Sequence, residues 1–195
     1  MQEIKTKYDL QRIMPSDICD HIETLYQYGK LCRHITEMGV RTVSSTWAFL
    51  YSNPIEIISY DIVKHPNVLE VEHIANRNSL NFRFIEADVL KIEIEKTDLL
   101  FIDTLHTYNQ LISELELHSE KAQKYIILHD TTTFGTRDEI NPNKKSDLVE
   151  AMPQTKEGLT TAYQDFLLTE KGKKWAVDKI FTHNNGLTIL KRIQP

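Results

Sequence analysis

Asp103, His106, His129 and Asp130 are the residues of this chain whose types and placement most suggest chemistry. Each pair interrupts an apolar run. Leu99-Leu100-Phe101-Ile102 stops at Asp103, with His106 three residues on, and Tyr125 to Leu128 stops at His129-Asp130. Continuous apolar runs of this length suit strands buried on both faces of a parallel sheet. In an open α/β sheet, ligands bind beyond the carboxyl ends of the strands, so two adjacent parallel strands would deliver all four side chains to one pocket. Carboxylates attract cations, and imidazole, with an unperturbed pKa near 6.5, exchanges protons around neutrality. This pocket is the candidate active site.

The elements that must position these residues follow from the punctuation of the chain. Between the two runs, Tyr108, Leu111, Ile112 and Leu115 recur at helical spacing, an apolar stripe expected in the core. Upstream, His34 to Val40 reads as a first strand ending in a glycine turn. Ser44-Ser45-Thr46 is expected to cap a helix through Trp47, Ala48, Phe49 and Leu50. Asn53-Pro54 breaks that helix; Ile55 to Val63 is a second strand with Asp61 at its far end, Val68 to Asn76 a helix, and Phe82 to Val89 a third strand. Before all of these, Pro15-Ser16 followed by Ile18, Ile22, Leu25 and Tyr26 predicts a single amphipathic helix over residues 15–32.

Downstream, Thr131 to Gly158 is polar, broken by Gly135, Pro142 and Pro153, and without clear period. So long a stretch inside one domain is expected to be a functional loop, here a lid over the pocket. A helix over Leu159 to Thr169 follows, then strands Val177 to Thr182 and Leu187 to Ile193 joined through His183-Asn184-Asn185-Gly186, whose Asn-Gly pair is a strong hairpin signal. The alternation predicts an α/β, doubly wound, mainly parallel seven-stranded sheet ending in an antiparallel hairpin, as a single domain over residues 1–195.

Bulk properties narrow the function. Hydrophobic content of 41% and charged content of 26% are ordinary for a globular domain, and no apolar run reaches the length of a membrane span. The N-terminus, MQEIKTKYDLQRIMP, lacks the apolar core of a secretory signal, so a cytoplasmic protein is expected. A net charge of −5 argues against a nucleic-acid partner, and the basic spots Lys144-Lys145 and Lys171 to Lys174 read as solvated charges. Cys19 and Cys32 lack metal-type spacing and read as free thiols. His21, His34, His65, His73, His118 and His183 are expected at surface or satisfied positions, and Trp47, Trp175, Tyr26 and Tyr28 in core packing.

Taken together, the strand ends carry acids in register: Glu37 with Gly39, Asp61, Asp88, Asp103 and Asp130. Asp61, about 20 residues beyond the glycine turn, stands where nucleotide folds hydrogen-bond a ribose. The order of elements and the segments EMGVRTVSSTWAFL, SYDI, FIEADV, FIDTLHTY and ILHDTT resemble class I S-adenosylmethionine-dependent methyltransferases. Within these, the chain most resembles the small-molecule O-methyltransferases and the cephalosporin hydroxylase-like group, which includes metal-dependent macrolide sugar methyltransferases. The resemblance spans roughly Ser16 to Ile193.

That resemblance implies S-adenosylmethionine as cofactor, a divalent metal (Mg²⁺ or Mn²⁺), and a hydroxylated small molecule or sugar as substrate. Glu37 and Gly39 would form the turn beside the methionine part of the cofactor, Asp61 would bind the ribose hydroxyls, and Ala87 and Asp88 would flank the adenine. Asp103, at the junction of cofactor and metal, would hold the cation with His129 and Asp130, and His106 would be the general base. Two positions depart from the family pattern: Val43 replaces a second glycine in the cofactor turn, and His129 a residue more often acidic. Imidazole is the softer ligand and shifts preference toward Mn²⁺ or Fe²⁺. The alternative is the same fold without methyl transfer, as another metal-dependent enzyme or a binding protein with a vestigial cofactor site.

Overall fold

The computed structural model describes residues 1–140 and 146–194. Seven strands form one sheet: β1 (His34–Met38), β2 (Glu56–Asp61), β3 (Asn81–Glu86), β4 (Thr97–Ile102), β5 (Ala122–His129), β6 (Trp175–Phe181) and β7 (Leu187–Arg192). Their order is β3-β2-β1-β4-β5-β7-β6. The first five are parallel, and β7 pairs antiparallel with both β5 and β6, so the expected fold class and terminal hairpin are both present.

The apolar run of β4 shows why the sheet must be covered on both sides. Leu99 and Phe101 pack with Trp47, Phe49, Ile57 and Ile74 on one face, while Leu100 and Ile102 pack with Leu111, Leu115 and Phe166 on the other. Successive side chains leave a strand on opposite faces, so an unbroken hydrophobic run is the mark of a sheet sandwiched between helices. The first face carries α1 (Gln2–Ile13), α2 (Ile22–Gly29), α3 (Ser44–Ser52) and α4 (Asn67–Arg77); the second carries α5 (Tyr108–His118) and α7 (Leu159–Leu168), and the short α6 (Asp147–Glu150) precedes α7 in the chain. Both tryptophans are in the core, Trp47 on the first face and Trp175 on the second.

Three local expectations are corrected. The N-terminal region holds two helices, not one over residues 15–32; α1 ends at Ile13, and Pro15-Ser16 lies in the turn that follows. Few of its residues are buried, Ile4 and Tyr8, among charged neighbours, so its period is faint, while Pro15 bars helical backbone at the residue before it. Ser44-Ser45-Thr46 do not cap α3: the position before the helix is Val43 and no side chain caps the turn. His21 is fully buried behind the hairpin loop; its Nε2 lies 3.0 Å from the His183 carbonyl and 3.1 Å from that of Asn184, and its Nδ1 has no partner among the described residues.

The described ends of the long polar stretch after β5 are tied by backbone bonds. The Thr132 and Thr133 amides both donate to the Asn185 carbonyl, and Leu159 donates to the carbonyl of Phe134. Lys144-Lys145 and Pro142 lie outside the described residues. Lys173 and Lys174 pair with Glu170 and Glu120 as solvated charges. Among the described residues, no helix is long and apolar enough to cross a membrane.

Candidate functional site

The carboxyl ends of the parallel strands are stitched into one rim by backbone bonds: Gly39 donates to Tyr60, Asp103 to Met38, and Ala87 to Asp61, each at 2.8–2.9 Å. Gly39 makes the rim possible. Its φ is +82°, and a Cβ there would lie 1.9 Å from the Asp103 carbonyl oxygen, so only glycine lets the β1 turn rest on the end of β4. Beyond the rim lies a cavity of about 640 Å³.

Six of the nine residues singled out in the sequence line this cavity: Gly39, Asp61, Ala87, Asp88, Asp103 and His106. Asp61 closes the glycine turn. Its Oδ2 accepts from the amides of Val40 at 2.9 Å and Arg41 at 3.1 Å. Asp88 accepts from the Leu90 amide at 3.0 Å and the Ser146 hydroxyl at 2.7 Å, joining β3's end to the far side of the polar stretch.

Glu37 is placed differently. It does not line the cavity; its fully buried carboxylate accepts hydroxyl hydrogens from Ser45 (2.6 Å), Thr46 (2.9 Å) and Ser59 (2.6 Å). Burial pushes its pKa up to about 7 against the pull of those three donors. The hydroxyls read as a helix cap in the sequence therefore serve the carboxylate of the preceding strand. Val43 likewise points into the core, 2% exposed, and is not a lining residue. Its φ of +69° lies in the left-handed region that favours glycine.

Asp103, His106, His129 and Asp130 do converge. Asp103 Oδ1 lies 3.2 Å from His106 Nε2 and 3.3 Å from His129 Nδ1; Asp130 Oδ2 lies 3.1 Å from each of the same nitrogens. His129 and Asp130 are buried behind the cavity wall, and Asp130 takes up a left-handed φ of +59° with its other oxygen accepting from Asn185 at 2.8 Å. Burial alone would raise the Asp103 pKa, but the His129 and His106 imidazoles hold its carboxyl well below the usual range. For His129 burial opposes the charged ring, yet Asp103 and Asp130 raise its pKa to about 10. His106 is raised too, burial being outweighed by Asp103, Asp130 and Glu139. Two carboxylates this close demand positive charge between them.

Asp103, His129 and Asp130 can each offer a ligand atom to one point, the three atoms lying within 4.8 Å of one another. His129 is oriented for that role. Its Nε2–H donates to the Asp17 carbonyl at 3.1 Å, which turns Nδ1 toward the carboxylates, the outer bond that metal-binding histidines commonly make. Glu139, invisible in the sequence because it lies in an aperiodic stretch, also lines the cavity, with its Oε2 2.8 Å from His106 Nδ1. Thr104 and Gln110 line it as well, both held by the buried Glu114 carboxylate.

No family model and no curated protein matches the chain. Solved structures do. The S-adenosylhomocysteine-bound methyltransferase PaMTH1 from Podospora anserina superposes with a TM-score of 0.63 at 12% identity, over 98% of this chain and 88% of that one. A Klebsiella pneumoniae protein provisionally assigned as an O-methyltransferase gives 0.65 at 14% identity over 98% and 88%. The N-methyltransferase NodS from Bradyrhizobium japonicum, with S-adenosylhomocysteine, gives 0.58 at 10% identity over 99% and 98%. The chain thus has the Rossmann-like fold of class I methyltransferases, the fold its sequence resembles.

Proposed function

We propose that this protein is an S-adenosylmethionine-dependent O-methyltransferase acting on a hydroxylated small molecule such as a sugar. One observation carries the reading: a single cavity in a methyltransferase fold is lined both by Gly39, Asp61, Ala87 and Asp88, suited to an adenosyl cofactor, and by Asp103 and His106. The similar structures include both an O- and an N-methyltransferase, so the fold leaves the accepting atom open. Oxygen is favoured by the cluster itself. An alkyl hydroxyl is a poor nucleophile until its proton is accepted, whereas a neutral amine needs no such help.

In this reading the methyl group passes from sulfonium sulfur to the hydroxyl oxygen, the sulfur keeps the electron pair of the broken bond, and His106 Nε2 takes the proton. Asp103 and Asp130 support the protonated ring that results. A cation held by those carboxylates would weaken that support and leave Nε2 better able to accept. The donor set fits a divalent cation on Asp103, His129 and Asp130, with one imidazole among oxygens favouring Mn²⁺ over Mg²⁺. Such a cation would stabilise the developing alkoxide as a Lewis acid. The described residues of the stretch after β5 would act as a lid, Glu139, Ser146 and Asp147 forming part of the wall.

Calorimetric titration with S-adenosylhomocysteine, with and without Mn²⁺, tests the reading. Binding is expected, weakened at least about tenfold by Asp61→Ala through the lost ribose bonds. No heat in either arm overturns it.

A further inference from the structure

The turn between β6 and β7 does more than join two strands. Its central residues, Asn184 and Asn185, are both left-handed, with φ of +45° and +68°, and the Gly186 amide closes it by donating to the His183 carbonyl at 2.9 Å. Turns of this hand match the twist of a hairpin, and asparagine tolerates their backbone. The two side chains serve different neighbours. Asn184 grips the segment before α2 at two points: its Oδ1 accepts from the Asp20 amide at 2.9 Å, and its Nδ2 donates to the Ser16 carbonyl at 2.8 Å. Between those points lies Asp17, whose carbonyl meets His129 Nε2 at 3.1 Å. Asn185 Nδ2 donates to Asp130 Oδ1 at 2.8 Å, and its carbonyl accepts from the Thr132 and Thr133 amides just beyond.

We propose that Asn184 and Asn185 are positioning residues for the cation site, together choosing the atom that each β5 residue presents to the ion. The inference rests on the reading of Asp103, His129 and Asp130 as that site. A carboxylate and an imidazole each have two atoms that could bind a cation. The turn occupies one of each: Asn185 takes Asp130 Oδ1 directly, and Asn184, by fixing the residues on either side of Asp17, sets the carbonyl that takes His129 Nε2. The atoms left over, Asp130 Oδ2 and His129 Nδ1, lie 3.1 Å apart, with Asp103 Oδ1 3.3 Å from the latter. Asp130 needs such an outside anchor. It follows His129, the last paired residue of β5, and its own φ of +59° takes it out of the ladder, so the sheet does not aim its side chain. Neither asparagine side chain is required for the turn itself, since glycine reaches the same φ with none. Partners of this outer kind hold ligands in place, and their loss commonly weakens metal binding without removing a ligand.

The test titrates the full chain with Mn²⁺ alone and reads the free ion by electron paramagnetic resonance, beside urea denaturation of the same proteins without metal. Asn184→Gly and Asn185→Gly keep the left-handed backbone and remove only the side chains. Asn185→Gly is expected to weaken Mn²⁺ binding about tenfold, and Asn184→Gly, acting through Asp17, about fivefold, with urea midpoints close to native. Pulsed resonance separates the two arms: the nitrogen coupling of a coordinated imidazole, expected in the native protein, persists in Asn185→Gly and fades in Asn184→Gly. A native chain that binds no Mn²⁺, or a glycine variant that binds it within about twofold of native, overturns the proposal. A glycine variant that no longer folds assigns the pair to the scaffold alone and counts against it equally. Because the titration contains no cofactor, absence of S-adenosylhomocysteine binding would sink the methyltransferase reading and leave this result standing, whereas silence toward Mn²⁺ alone would do the reverse.

Discussion

Two carboxylates one strand apart on the same rim, Glu37 and Asp103, have met opposite fates. Both emerge where a parallel strand ends, Glu37 fully buried and Asp103 partly open to the cavity. Glu37 is surrounded by three neutral hydroxyls, and its pKa drifts up to about 7. Asp103 faces two imidazoles, and its carboxyl is held well below the usual range. Neutral donors house a carboxylate without fixing its charge; cationic ones fix it. Glu37 consequently ties α3 and β2 to β1 as part of the scaffold, while Asp103 keeps a permanent negative charge at the cavity wall. A residue type at a strand end does not disclose which of these it will be.

The most drastic way to break the comparison is to disturb the turn that lies between the two acids. Gly39→Ala places a Cβ 1.9 Å from the Asp103 carbonyl oxygen, and the obstacle is backbone, which cannot swing aside. Either β1 parts from β4 or Asp103 leaves His106 and His129. The expected loss is about 4 kcal/mol in urea denaturation, combining the clash with the cost of an L-residue at this φ. A loss below about 1 kcal/mol would mean that the turn relaxes and that the contact does not organise the site.

The next effect separates the acids by pH. Glu37 has a folded pKa of about 7 against an ordinary 4.5. A raised folded pKa means stability that is fully present below pH 4.5 and lost as pH rises through 7. At about 1.4 kcal/mol per pKa unit, the loss attributable to Glu37 is on the order of 3 kcal/mol. Glu37→Gln removes this dependence. The stability of the variant relative to the native chain should therefore improve by about 2–3 kcal/mol between pH 4.5 and 8 in paired urea titrations. Glu114, also raised to about 7 by burial, is common to both proteins and cancels. A difference that stays flat across this range would show that the hydroxyls do hold Glu37 charged.

What the sequence disclosed follows the same division. The apolar runs of β4 and β5 and the Asn-Gly hairpin were readable because burial on two faces and left-handed turns leave compositional marks. The convergence of Asp103, His106, His129 and Asp130 followed once those strands were adjacent and parallel. Helix α1 was hidden because two buried residues among charges make no period. Ser45 and Thr46 were legible as polar residues opening a helix, but their pairing with Glu37 depends on β1 lying beneath α3, which no local pattern encodes. Glu139 carried no signal at all, since an irregular segment reaches its partner through tertiary contacts alone.

The smallest effect sharpens the comparison from the Glu37 side. Val43 precedes the helix that carries Ser45 and Thr46, with a left-handed φ of +69° and a side chain 2% exposed in the core. Left-handed backbone costs a β-branched residue about 1–2 kcal/mol, and burial of the side chain returns about the same. Val43→Gly relieves the first and forfeits the second, so the net change in stability is expected within about 1 kcal/mol. Since the side chain faces the hydrophobic layer and not the cavity, S-adenosylhomocysteine affinity should change less than about twofold by calorimetry. A tenfold gain in affinity on removing the valine would show instead that the turn it strains belongs to the cofactor pocket, and that the boundary between the scaffold acid and the chemical acid lies one strand nearer to Glu37.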